Sequence, residues 1–192
     1  MVSERSVNMR IIAGTCKGRK LRVPKDDRVR PTPDRIKEAI FSMLLPYIDG
    51  ETVVADVFAG TGNMGLEALS RGAGKAYFSD VSAENIALIK QNIALCGVGS
   101  QSIVIKGDFR YILARLHEVP DIFFLDPPYD DGLMEDALNA IEQMPELTDG
   151  ALVVCEHRYK QVLPESIGRL HLWKKKKYGT TAVSVYRQEE RG

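Results

Sequence analysis

The run Leu125-Asp126-Pro127-Pro128-Tyr129 sets a carboxylate, two prolines and a phenol ring side by side. A following proline biases Asp126 to extended backbone, and two successive prolines stiffen the turn. The Asp126 carboxylate and the Pro127 carbonyl then form a fixed pair of acceptors, with Pro128 holding the turn. Such a pair suits an exocyclic NH2 conjugated to a ring. Accepting its two protons localises the nitrogen lone pair and aims it at an electrophile, while Tyr129 stacks on the ring's face. The plainer alternative is a rigid loop whose Asp caps the next helix, which explains the prolines but not the adjacent Tyr129.

A second stretch, Asp56-Val57-Phe58-Ala59-Gly60-Thr61-Gly62-Asn63-Met64-Gly65, satisfies G-x-G-x-x-G. The glycines alone would suit a dinucleotide fold or a tight strand-to-helix turn. Asp56, four residues earlier, argues otherwise, because a pyrophosphate wants helix N–H groups and no carboxylate nearby. S-adenosylmethionine presents an ammonium and a sulfonium, for which a carboxylate at a strand tip is suitable, and the glycines let the backbone approach its methionine part. Asp80, 20 residues after Gly60, is placed to hold ribose hydroxyls with two acceptor oxygens. Asp108-Phe109 offers an acceptor for an adenine amino group and a ring to flank the base. For Asp80 and Asp108 the competing role is a helix N-cap or turn.

These residues need elements to carry them. Runs at 52–57, 75–80, 102–106, 121–126 and 151–156 are rich in β-formers. Amphipathic stretches beginning near Met64, Ser82, Phe109 and Leu133 alternate with them. That alternation predicts an α/β fold with a doubly wound, mostly parallel sheet, in which ligands bind beyond the carboxyl ends of the strands. Runs at 170–174 and 181–186 flank Tyr178-Gly179 with no helix between them and predict an antiparallel edge pair. Ile36, Ala39, Ile40, Met43, Leu44 and Tyr47 follow helical spacing, with Thr32 as N-cap and Pro33 at the first helical position. Before them, apolar-basic runs around Gly14 and Gly18 predict a small N-terminal β-hairpin. The expected organisation is a basic hairpin extension over residues 1–30 and one catalytic domain over 31–192.

Net charge is zero, with 26 Lys and Arg against 26 Asp and Glu, but it is segregated. Residues 1–40 carry eleven basic and five acidic residues, 41–150 six and seventeen, and 151–192 nine and four. A binder of a polyanion needs a local positive face whatever its total charge, while solvated surfaces explain the basic ends without any partner. No run approaches the apolar length of a membrane span and the N-terminus has no signal-peptide core, so a cytoplasmic protein is expected. Cys16, Cys96 and Cys155 and the three histidines are too scattered for a disulfide framework, and no metal site is expected.

Three groups of residues together resemble a known family: Arg30-Pro31-Thr32, the glycine stretch continued through Gly65-Leu66-Glu67-Ala68-Leu69-Ser70-Arg71-Gly72-Ala73, and Asp126-Pro127-Pro128-Tyr129. They look like the bacterial guanine-N2 methyltransferases of small-subunit ribosomal RNA, the RsmD family, over roughly residues 9 to 188. The tetrapeptide marks the broader class of amino-group methyltransferases; the run from Gly65 to Ala73 and the N-terminal pattern narrow it. Thr61 stands where the family often has Ser, and Asp80 where it often has Glu. The resemblance implies a class I methyltransferase fold, S-adenosylmethionine as cofactor, and a guanine of 16S rRNA, in the small subunit or its assembly intermediate, as substrate. The expected cofactor site is Asp56, Phe58, Gly60, Gly62, Asp80, Asp108 and Phe109, and a monomer is expected.

The expected chemistry is direct in-line transfer, assisted by orientation and electrostatics, with Asp126 as the nearest proton acceptor and no Cys or His required. A base stacked in a helix cannot reach such a cleft, so the target must be unpaired or flipped out. In that setting Lys17, Arg19, Lys20, Arg22, Arg28, Arg30, Lys174 and Lys176 read as phosphate contacts. Methylation of a DNA adenine N6 or a protein glutamine amide uses the same acceptor pair and remains the alternative. A nucleotide-dependent dehydrogenase leaves Asp56 and the Asp126 run unexplained, and a non-catalytic RNA-binding module accounts only for the basic ends.

Overall fold

Each β-rich run becomes a strand and each amphipathic stretch the helix that returns the chain to the same sheet edge. The computed structural model describes residues 9–24, 32–128 and 132–189. In chain order the elements are α1 (Asp34–Leu44), β1 (Val53–Asp56), α2 (Asn63–Ser70), β2 (Lys75–Asp80), α3 (Ala83–Cys96), β3 (Ser102–Lys106), α4 (Phe109–Leu113), β4 (Ile122–Leu125), α5 (Leu133–Glu142), β5 (Leu152–Arg158), β6 (Ser166–Ile167), β7 (Leu170–Tyr178) and β8 (Thr181–Gln188). They form one eight-stranded sheet in the order β3-β2-β1-β4-β5-β8-β7-β6. The first five strands are parallel and the last three antiparallel. Between Tyr178 and Thr181 there is room only for a tight turn, so β8 must run back along β7.

Side chains alternate across the sheet, so each strand feeds two cores. Val54, Phe78 and Phe124 point to the side covered by α1, α2 and α3, where Phe41, Leu66 and Ile89 are buried. Ala55, Tyr77 and Phe123 point to the side covered by α4 and α5, against Leu113, Leu138 and Ile141.

Four differences from the sequence expectation have physical causes. The N-terminal arms pair antiparallel at Arg10–Lys20, with the Leu21 and Ile11 amides donating to the Met9 and Arg19 carbonyls at 2.8 and 3.0 Å, so the expected small hairpin forms, but it does not stand off as an extension. The amides of Ile12 and Ala13 instead donate to Glu67 at 2.8 and 3.0 Å, and that of Cys16 to Ser70 Oγ at 2.9 Å. The arm is thus fastened to α2, and Met9, Ile11, Cys16 and Leu21 join the α1–α3 core. Thr32 does not cap α1: the helix starts at Asp34 without a side-chain cap, and the Thr32 hydroxyl donates to Glu156 Oε2 at 2.8 Å. Thirdly, β7 runs to Tyr178 because pairing with β8 carries it through all four lysines, Lys174 to Lys177. Lastly, β5 runs to Arg158, which pairs with Thr181.

Gly65 shows how closely α2 lies on the sheet, since a Cβ built there would sit 2.4 Å from Phe78 Cε1. Gly65→Ala must therefore displace a fully buried ring. The expected cost is about 1–3 kcal/mol of stability, measured by urea denaturation. Wild-type stability in the variant would contradict this packing.

Candidate functional site

The carboxyl ends of the parallel strands open into a cleft of about 590 Å³. Along the sheet edge, in strand order, it presents Asp80 from β2, Asp56 from β1, Asp126 just past β4 and Glu156 from β5. Neighbouring strands lie about 4.8 Å apart, so these carboxyls form a row spanning the cleft floor. Register pairs Leu125 with Cys155, which sets Asp126 beside Glu156.

Asp56 is 5% exposed, and its Oδ2 accepts from the Gly65 amide at 3.0 Å, tying the tip of β1 to the start of α2. Burial raises its pKa to about 7, Asp80 adds to the rise, and the Gly65 and Met64 amides oppose it. Asp80 is held by three donors, with the Gly60 amide and Asn85 Nδ2 on Oδ2 and the Ser82 amide on Oδ1. A carboxylate has about four lone-pair positions, so Asp80 fills the turn role weighed for it and keeps room for one further donor.

Gly60 and Gly62 both adopt positive φ, +55° and +79°, and a Cβ on Gly60 would meet nothing within 4 Å. The glycine loop thus leaves bare backbone facing the cleft. Asp108 caps α4, accepting from the Arg110 amide at 3.0 Å, so the competing role read for it is filled, while it still lines the cleft. Phe109 is 2% exposed and packs on Phe58 with ring centroids 5.7 Å apart. Both rings line the cleft, Phe109 buried and Phe58 half-buried. The residue most open to a ligand on that side is Val81, 66% exposed.

Asp126 is exposed to the cleft and lies at its floor among the other carboxyls. Desolvation by the cleft walls, then the charges of Glu156 and Asp56, push its pKa well up. Pro127 and Pro128 line the cleft beside it. Tyr129, Arg28 and Arg30 lie outside the described residues.

The remaining basic residues divide by position. Lys17, Arg19, Lys20 and Arg22 are all exposed. Arg22 is next to the glycine loop, since its amide donates to Asn92 Oδ1 and Asn92 Nδ2 donates to the Thr61 carbonyl. The turn holding Lys17 rests on Ser70 at the far end of α2, about 12 Å from the cleft by helix rise. Lys174 to Lys177 are exposed, and their strand ends beside Thr181, which lines the cleft. Lys174 and Lys177 stack on Trp173 and Tyr159, each 3.8 Å from the ring centroid. Among the described residues no helix is long and apolar enough to cross a membrane.

Sequence reasoning overlooked Thr32, Asn63, Val81 and Glu156, all of which line the cleft. The strand-end rule applied to β5 would have found Glu156, and position next to Asp80 and Gly62 would have found Val81 and Asn63. Nothing local marks the Thr32–Glu156 bond, whose partners are 124 residues apart.

The model of the family described as Conserved hypothetical protein 95 matches residues 9–187. A Bacillus subtilis protein named "Putative rRNA methyltransferase YlbH" is 36% identical over 183 residues, 94% of this chain and 99% of that protein. The Escherichia coli K12 "Ribosomal RNA small subunit methyltransferase D" is 35% identical over 188 residues, 97% of this chain and 93% of that one. A solved structure described as "Putative methyltransferase yhhF from Escherichia coli" superposes with a TM-score of 0.85 at 33% identity, covering 96% of this chain and 99% of that chain.

Asp56 makes stability depend on pH with a definite sign. The folded protein holds the proton up to about pH 7, whereas the unfolded chain releases it near the ordinary aspartate value of 3.8. Its contribution is therefore fully present below about pH 4 and is lost as pH rises to 7, by up to about 4 kcal/mol. Asp56→Asn should flatten this part of the stability profile in urea melts between pH 4 and 8. An unchanged slope would mean that Asp56 does not carry it.

Proposed function

The chain belongs to the Conserved hypothetical protein 95 family, and on that premise we propose that it methylates small-subunit ribosomal RNA from S-adenosylmethionine, on the exocyclic N2 of an unpaired guanine. The observation that carries the reading is the placement of Asp126 and Pro127 at the tip of β4, in a cleft whose floor is a row of carboxyls. Such a floor favours a cationic ligand and an amine, and disfavours a dinucleotide's pyrophosphate.

The cleft fits S-adenosylmethionine on its own features. Gly60 leaves open backbone, Asp56 can balance positive charge, and Asp80 has one acceptor position left for a ribose hydroxyl. Phe58, Phe109, Val81 and Asp108 form the wall nearest Asp80 and suit the base. When bound, this group supplies a methyl on a positively charged sulfur, an electrophile that needs only a lone pair in line with it.

The protein's part is then to hold the amine and take its proton. The Asp126 carboxylate and Pro127 carbonyl accept from the two N2 hydrogens, which turns the lone pair out of conjugation. Tyr129 stacks on the base. As the nitrogen gains positive charge, Asp126 is the nearest acceptor for its proton. A carboxyl whose affinity for a proton is raised by desolvation, Glu156 and Asp56 is suited to that step. Arg22 and the β7 lysines supply positive charge outside the acidic cleft, where a phosphate backbone leading to an extruded base would run.

Asp126→Ala should lower turnover by about a hundredfold or more while leaving S-adenosylmethionine affinity nearly unchanged, because the lost acceptor matters most as the amine pyramidalises. Calorimetry and single-turnover kinetics separate the two, and an equal loss in both would remove Asp126 from chemistry. Tyr129→Phe should be mild and Tyr129→Ala severe if the ring stacks.

Binding of the RNA has its own signature. Arg19→Ala combined with Lys20→Ala should weaken small-subunit binding and lower the slope of log affinity against log salt by about 0.7 to 0.9 per lost phosphate contact. Filter binding across a salt series measures it. A slope identical to that of the wild type would return both residues to the solvated surface.

A further inference from the structure

Asn63 is the first residue of α2, directly after the glycine loop; it is 7% exposed and lines the cleft. Its side-chain oxygen faces away from the ligand space, accepting from Lys37 Nζ at 2.7 Å. The assignment of that oxygen is not arbitrary, because a lysine can only donate here. Lys37 Nζ also donates to the Arg10 carbonyl at 2.6 Å and pairs with Glu67 Oε2 at 2.9 Å. Three acceptors around one nitrogen require three N–H bonds, so Lys37 is the ammonium and has no lone pair to offer. With Oδ1 bound to Lys37, the half of the Asn63 amide left for the cleft is its N–H2.

Among the described residues this N–H2 group donates to no protein acceptor, so both its hydrogens are available to an acceptor carried by the ligand. S-adenosylmethionine carries one carboxylate, at its amino-acid end. If the ribose is at Asp80 and the methyl acceptor at Asp126, that end lies beside the glycine loop and the start of α2, whose dipole also favours negative charge. We infer that Asn63, with its carbonyl held by the buried Lys37, donates its amide hydrogens to the carboxylate of the bound ligand's amino-acid end. Lys37 acts as a positioning residue that fixes which way the amide faces. This inference rests on S-adenosylmethionine being the methyl donor.

The test compares ligands as well as variants. Asn63→Asp keeps an oxygen for Lys37 but replaces the N–H2 donor by a second acceptor. By calorimetry on the whole protein it should weaken S-adenosylhomocysteine by about tenfold to a hundredfold, the worth of one hydrogen bond to a charged group. It should not weaken the decarboxylated analogue, which keeps the amine and loses the anion. Thermal melting of the variant, expected near the wild type, checks that the Lys37 contact survives. Equal weakening of both ligands, or of neither, would overturn the inference while leaving the proposed function standing. Failure of the wild type to bind S-adenosylhomocysteine at all would overturn both.

Discussion

A buried carboxylate, Glu67, joins the three segments that have to cooperate at the cleft. Its two oxygens accept from the amides of Ile12 and Ala13, from Lys37 Nζ and from Arg71 Nε, which uses all of its lone-pair positions. Lys37 and Glu67 are 1% and 0% exposed, so their attraction acts where water cannot screen it. Burial still draws the lysine's proton affinity below its ordinary value, against the pull of Glu67. Removing one partner of such a pair leaves an uncompensated charge inside and costs about 3–5 kcal/mol, whereas the intact pair adds little net stability. Its main consequence is geometric. The N-terminal arm, α1 and α2 cannot shift independently, and α2 begins at the glycine loop.

Electrostatics in the cleft follow from topology. Parallel strands deliver their ends to one edge, so an acidic residue closing each of several strands accumulates charge there without any local contact between them. Asp56 and Asp126 respond by holding protons more tightly than isolated carboxyls do. A cation entering the cleft reverses part of that cost, which links ligand charge to proton release. The densest runs of exposed positive charge lie in the N-terminal arm and on β7. Segregation in sequence thus becomes an acidic cleft with basic flanks.

The alternation of β-rich and amphipathic runs was legible because the central strands are buried on both faces while the amphipathic helices bury one, so periodicity reports burial directly. The bounds of β2 and β3 follow from it residue by residue, and strand-end reasoning located Asp56, Asp80 and Asp126. What periodicity cannot carry is a bond between residues far apart in the chain. Thr32 reads as a helix cap locally and is bound to Glu156. The arm reads as an appendage and is fastened to Glu67 and Ser70 on α2. In both cases a partner distant in the chain decides the outcome. The turn role weighed for Asp80 was legible, since the Ser82 amide two residues on and the Asn85 side chain supply two of its three donors.

The central claim concerns which atom is methylated on which molecule. Small subunits from cells lacking this protein, incubated with the purified chain and S-adenosylmethionine and then digested to nucleosides for mass spectrometry, address it directly. The predicted result is a gain of N2-methylguanosine approaching one per subunit with the wild type, and none with Asp126→Ala. Methyl groups appearing on adenine N6 or on protein, or no transfer to the rRNA by a folded wild-type protein, would contradict the account.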